Sequence, residues 1–162
     1  MLIQFQNYLT FENIYLWANF GVLPFWLLLI ILPNSKVTQF FVNSILIPLI
    51  LGAIYVYVLY QAFLLDDPVF DILKLYLNLD NLYTVFATES FLLVFWIHFL
   101  ALNLFLGSWL SRDAFKHNIP RKLAAIPLVI VYLTGPLGLV LYWLFRTIYA
   151  KKLLSFCQIF YQ

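Results

Sequence analysis

The chain is poor in charge. Asp, Glu, Lys and Arg together make up 10% of its 162 residues, where soluble domains carry about 25%. So few charges cannot cover a water-soluble surface, so lipid must be the solvent for most of this one. Cysteine is nearly absent: Cys157 alone rules out a disulfide framework and a thiolate metal site. Two histidines are too few for a histidine-box di-iron centre. Two-histidine haem ligation within the spans would need a second intramembrane histidine, and His117 falls in a loop. No lysine lies inside an expected span, which disfavours a retinal Schiff base. There is no glycine-rich phosphate loop and no Gly-x-Ser-x-Gly elbow. A net charge of +2 gives no basis for binding nucleic acid. The near-empty intramembrane ionisable inventory disfavours a transporter. The first ten residues hold no Lys or Arg, unlike a cleavable signal peptide, so the first span is expected to stay in place.

What is present is apolar and aromatic. Hydrophobic residues reach 65% and aromatics 20%. Tyr and Trp, with apolar bodies and polar tips, favour the membrane boundary. A helical span needs roughly 20 apolar residues, and four such runs nearly exhaust the chain. The expectation is an all-α, integral, multi-pass membrane protein forming a single domain over residues 1–162. Its four transmembrane helices run over about 13–32, 40–64, 90–110 and 123–145. Val69, Ile72, Leu73, Tyr76 and Leu77 have helical spacing and predict a short interfacial helix between the second and third spans.

Each span carries its own punctuation. Asn19 and Pro24 lie in the first. Pro24 frees the carbonyl of Phe20 and predicts a bend, while Asn19 is expected to bond backbone or a neighbouring helix. Ser44, Pro48, Gly52 and Tyr55 share one face of the second span, which is expected to pack on protein. Thr134, Gly135 and Pro136 predict a kink or unwound turn in the fourth. The connection with Arg112, Lys116, Arg121 and Lys122 and the tail with Arg146, Lys151 and Lys152 are both basic. They oppose each other if the fourth segment crosses. A re-entrant hairpin bent at Gly135-Pro136 would reconcile them. About 23 residues at 1.5 Å each nevertheless exceed the hydrocarbon thickness, which favours a crossing.

The third span carries the chemistry. His98 and Asn103 stand five residues apart and face directions about 140° apart, so they form no pair on one helix. His98 shares a stripe with Leu102, Phe105, Trp109 and Arg112. An intramembrane histidine is a candidate general acid or base, although a backbone carbonyl can also satisfy it. Arg112 and Asp113 follow where the helix leaves the membrane. They read either as an interfacial anchor with a local ion pair or as a binding group, Arg112 for an anionic lipid headgroup.

The segments Trp96-Ile97-His98-Phe99-Leu100-Ala101, Asn103-Leu104-Phe105-Leu106-Gly107, Trp109, Arg112-Asp113-Ala114 and Ile119-Pro120 form a recognisable pattern. Pro127 and Thr134-Gly135-Pro136-Leu137-Gly138-Leu139 extend it. So do Ala18-Asn19, Leu23-Pro24, Trp26-Leu27-Leu28, Pro33, Pro48 and Tyr55. Together they resemble the abscisic-acid-deficient-4-like family of small four-span membrane proteins, whose plant members are implicated in making neoxanthin from violaxanthin. The resemblance implies a carotenoid, xanthophyll or related isoprenoid substrate, altered by acid–base isomerisation or epoxide opening. It departs at Asn103, where the family typically has Asp, and at Phe95, where Gly is usual. His98 is the candidate catalytic group. Asn19, Asn103, Trp109, Arg112, Asp113 and Thr134 are candidate substrate-binding residues, with no metal and no cofactor. The alternative is a non-enzymatic protein that binds pigment or lipid or assists complex assembly. Expected partners are the bilayer, a carotenoid or isoprenoid ligand, and further copies or a larger membrane complex.

Overall fold

The computed structural model describes residues 9–44, 46–64 and 76–159. Among these the chain is all helical: α1 Phe11–Ile31, α2 Lys36–Phe41, α3 Leu46–Leu64, α4 Leu79–Phe86, α5 Glu89–Lys116, α6 Arg121–Thr134 and α7 Pro136–Ile159. Three stretches are long and apolar enough to cross a membrane: Phe11–Ile31, Lys36–Ala62 and Glu89–Lys116. Their outward faces are as apolar as their inward ones; on α1, Trp17, Phe20 and Leu27 are exposed while Ile14, Ala18 and Val22 are buried. Such a helix has no polar face to offer water.

The chain forms two compact units. One holds α1 up to Val22 together with Ile47–Ala101; the other holds Leu23–Leu46 and the chain from Leu102 onward. Helices α1 and α5 each pass from one unit into the other.

In the first unit the core comes from Ile14 and Ala18 of α1, Leu51 and Val58 of α3, Val85 of α4, and Leu93 and Ile97 of α5. The buried face of α3 is thus Ile47, Leu51, Val58 and Ala62. The small-residue face is only partly covered, with nothing within 4 Å of a Cβ built on Gly52. Aliphatic side chains have more apolar area to bury, and they take the contact. The predicted interfacial helix falls mostly on residues outside those described. Helix α4 stands just after it, capped by Asn78, whose side chain accepts the Asn81 amide at 2.8 Å.

In the second unit the Pro33-Asn34-Ser35 turn is present. The Ser35 side chain accepts the Thr38 amide at 3.0 Å and the Thr38 hydroxyl donates to the Leu32 carbonyl at 2.6 Å. The expected second span is interrupted after α2. Asn43 and Ser44 divert backbone and side-chain bonds there, the Ser44 hydroxyl bonding the Phe40 carbonyl. At the end of α5, Asn118 adopts φ 52° and the Ile119 amide bonds the Ala114 carbonyl at 2.9 Å, a Schellman-type stop.

The fourth expected span, 123–145, is not one helix. Helix α6 ends at Thr134, Gly135 takes φ 65° and ψ −91°, and α7 starts at Pro136. The two helices pack on each other as an antiparallel hairpin. Gly138 lies so close to Val131 and Pro127 that a Cβ would meet the Pro127 carbonyl at 2.7 Å. Two causes converge: Pro136 has no amide to continue the ladder, and a positive φ is open chiefly to glycine.

Candidate functional site

Two clusters of polar side chains stand out, one in each unit. In the second unit, Asp113 of α5 is held by α7. The Tyr142 hydroxyl donates to Asp113 Oδ2 at 2.6 Å, and Arg146 Nε lies 2.9 Å from the same oxygen. With its proton on Nδ1, His117 donates to the Asp113 carbonyl at 2.9 Å and accepts from Arg146 at 3.2 Å. The guanidinium stacks 4.5 Å over Trp143, and Trp109 meets Tyr142 edge-on at 6.1 Å. Tyr142 is completely buried. One carboxylate therefore serves a buried phenol and a cation together. That arrangement fastens the hairpin to α5 and leaves Asp113 little freedom for a substrate.

The first unit holds a cavity of about 510 Å³ lined by Phe11, Glu12, Tyr15, Glu89, Leu92, Leu93 and Trp96. The helix starts of α1 and α5 each contribute one glutamate. Thr10 sets the first of these, its hydroxyl accepting the Asn13 amide at 3.3 Å. The Trp96 indole donates to Asn19 Oδ1 at 3.1 Å, and Asn19 Nδ2 donates to the Tyr15 carbonyl at 2.7 Å. The Tyr15 and Trp96 rings lie 6.1 Å apart. Asn19 thus bonds both backbone and a neighbouring helix, as expected for a polar group in an apolar span, and so fixes one cavity wall.

The other sequence candidates are dispersed. His98 lies on the exposed stripe of α5 with Leu102, Phe105, Trp109 and Arg112; its ring is 6.0 Å from Tyr55. Asn103, on the opposite face, is buried, and its Oδ1 would sit 2.5 Å from a Cβ on Gly135. Among the described residues its Nδ2 has no hydrogen-bond partner. Thr134 turns back to the Ile130 carbonyl at 2.9 Å. Arg112 and Asp113 do not pair. Successive helix positions point 100° apart, so Arg112 faces the Asn43 carbonyl at 3.5 Å while Asp113 faces α7. Sequence reading passed over Glu12 and gave no site role to His117, Tyr142 or Arg146. The conflict between the two basic segments was the one signal that could have returned Arg146 to the end of α5.

These features define a protein that is all helical over its described residues, with three membrane-length apolar stretches, in which Asn19, Ser108 and Tyr142 bond across the fold to Trp96, Asn43 and Asp113. The chain belongs to the ABA DEFICIENT 4-like family, whose model matches residues 13–142. It is similar to Protein ABA DEFICIENT 4, chloroplastic, of Arabidopsis thaliana, at 26% identity over 130 residues covering 79% of this chain. The matched region spans 58% of that relative's length. No solved structure matches the chain.

Proposed function

We propose that this is a multi-pass membrane protein that receives the oxygenated end ring of a carotenoid or related isoprenoid and isomerises it by acid–base chemistry. The observation that carries the reading is the cavity of the first unit, with apolar and aromatic walls and two glutamates in its lining. Its volume falls within the range of small-molecule sites, about 300–1,000 Å³. A cyclic end group suits the Leu92, Leu93 and Trp96 surface, and the polyene would extend along the apolar exterior. For an epoxide, a proton from one glutamic acid goes to the ring oxygen as the C–O bond breaks. The Tyr15 and Trp96 rings stabilise the positive charge that develops on carbon. The other carboxylate takes the proton from the adjacent carbon. One proton enters and one leaves, so the product is an isomer. This chemistry asks nothing of an acid at position 103, where the chain carries Asn.

Pigment analysis in a host that accumulates epoxy-xanthophylls tests the reading. The parent should convert part of that pool. Glu12→Gln or Glu89→Gln should lower the conversion by about a hundredfold or more, the usual worth of a positioned acid or base. His98→Ala is the counter-test. Loss of conversion there, with both glutamine variants active, would move the chemistry to His98. A stoichiometric pigment that co-purifies and never turns over would make the protein a binder.

A further inference from the structure

The second unit contains a polar pocket that the proposed chemistry does not use. Its volume is about 400 Å³, and its walls include Asn34 of the α1–α2 turn, Gln39 of α2, Asn43, and Ser111, Arg112 and Lys116 on the last turns of α5. Two cations four residues apart share one face of that helix, and none of the described residues lining the pocket is a carboxylate. Asp113, the acid next in sequence, is engaged by Tyr142 and Arg146 and does not neutralise them. The Ser108 hydroxyl donates to Asn43 Oδ1 at 2.9 Å, which leaves the Asn43 amide hydrogens as donors. Among the described residues Arg112 has only the long contact to the Asn43 carbonyl. The pocket is therefore rich in donors and positive charge, and its lining supplies no counter-ion.

Helix α5 has 28 residues and is about 42 Å long, well beyond the ~30 Å hydrocarbon core. Its last turns therefore emerge at the headgroup level, just beyond Trp109. We propose that this pocket binds a phosphate group, supplied as the phosphodiester of an anionic lipid headgroup. Arg112 supplies paired N–H donors to phosphate oxygens, Lys116 supplies a point charge, and the amides of Asn34, Gln39 and Asn43 hold the remaining oxygens.

Native mass spectrometry of the full-length detergent-purified chain tests this with dioleoylphosphatidylglycerol and dioleoylphosphatidylcholine. Phosphatidylglycerol should be retained over phosphatidylcholine. Arg112→Gln/Lys116→Gln should weaken its retention by about tenfold or more, given the attraction of each basic residue to anionic lipid. Lys36→Gln/Lys122→Gln removes the same charge from exposed residues outside the pocket lining and should leave retention intact. Equal retention of the two lipids, or equal losses in the two double variants, would overturn the proposal. Displacement by inorganic phosphate would overturn the headgroup as the source. A second measurement does not depend on the folding of the glutamine variants. In a Cys157→Ser/Phe115→Cys chain, in which position 115 lines the pocket but holds no phosphate oxygen, phosphatidylglycerol should slow alkylation at position 115 and phosphatidylcholine should not; no protection would also overturn the assignment.

Discussion

Asp113 accepts from a buried phenol and pairs with a partly buried guanidinium, and this distinguishes it from a surface acid. Its side chain is 13% exposed and that of Arg146 25%. An exposed ion pair contributes only ~0–1 kcal/mol, whereas a hydrogen bond to a charged group contributes about 1.5–3 kcal/mol. Tyr142→Phe removes that bond without creating a cavity. It should lower stability by about 1.5–3 kcal/mol, read as a drop in thermal unfolding temperature in detergent. Asn103 behaves differently. Its amide nitrogen is buried without a partner while its oxygen side abuts Gly135. From α5 it lies directly against the helix break. His98, the intramembrane ionisable group on the third span, looks outward. An ionisable residue in an apolar run marks itself in the sequence; which way it points depends on neighbours that the run does not reveal.

At the scale of elements, the break at Gly135 organises the second unit. Its φ of 65° and ψ of −91° lie near the rare, strained γ-turn conformation. Gly135→Ala would combine that strain with a collision against Asn103 and should cost about 1–3 kcal/mol or more. Thermal unfolding of the purified variant measures it, and an unchanged melting temperature would contradict the geometry described. Helix positions were largely legible: α1 covers the first predicted span to Ile31, and α5 contains the third. The Thr134-Gly135-Pro136 break was legible too, because it follows from one missing amide and one missing Cβ. Two things were not. Asn43-Ser44 looked like tolerable polar residues within a span, yet their bonds divide α2 from α3. The run 123–145 was long enough to cross, and length alone could not show that α7 returns toward the start of α6. The return is sealed by Tyr142 and Arg146 meeting Asp113, residues 29 and 33 positions away in sequence.

For the whole molecule, charge divides with the two units. Every acid except Asp113 lies in the segments of the first, and every base except Lys74 in those of the second. The hairpin makes this division meaningful for topology, since it returns Arg146 to the end of α5 that carries Arg112 and Lys116. If the hairpin does not cross, the two basic segments lie on one side and no longer oppose each other under the positive-inside tendency. Cysteine labelling checks this. In a Cys157→Ser background, Lys122→Cys and Thr147→Cys should react from the same side of a sealed vesicle. A single crossing between them would put them on opposite sides.

Composition by itself determined the solvent. With so few charges and so much apolar surface, the chain had to place its helices against lipid, and Pro33 and Gly135-Pro136 marked two of the breaks. Tertiary structure alone decided what the scarce polar groups do. In an apolar medium a polar group gains from a partner, and for Asn19, Asp113 and Asn43 the partners come from distant segments. Asn19 steadies Trp96 at a cavity with two glutamates, Asp113 gathers Tyr142 and Arg146, and Asn43 faces Ser108 and Arg112. Those pairings depend on which helix faces meet. That is set by packing across the fold, which no local run of sequence contains.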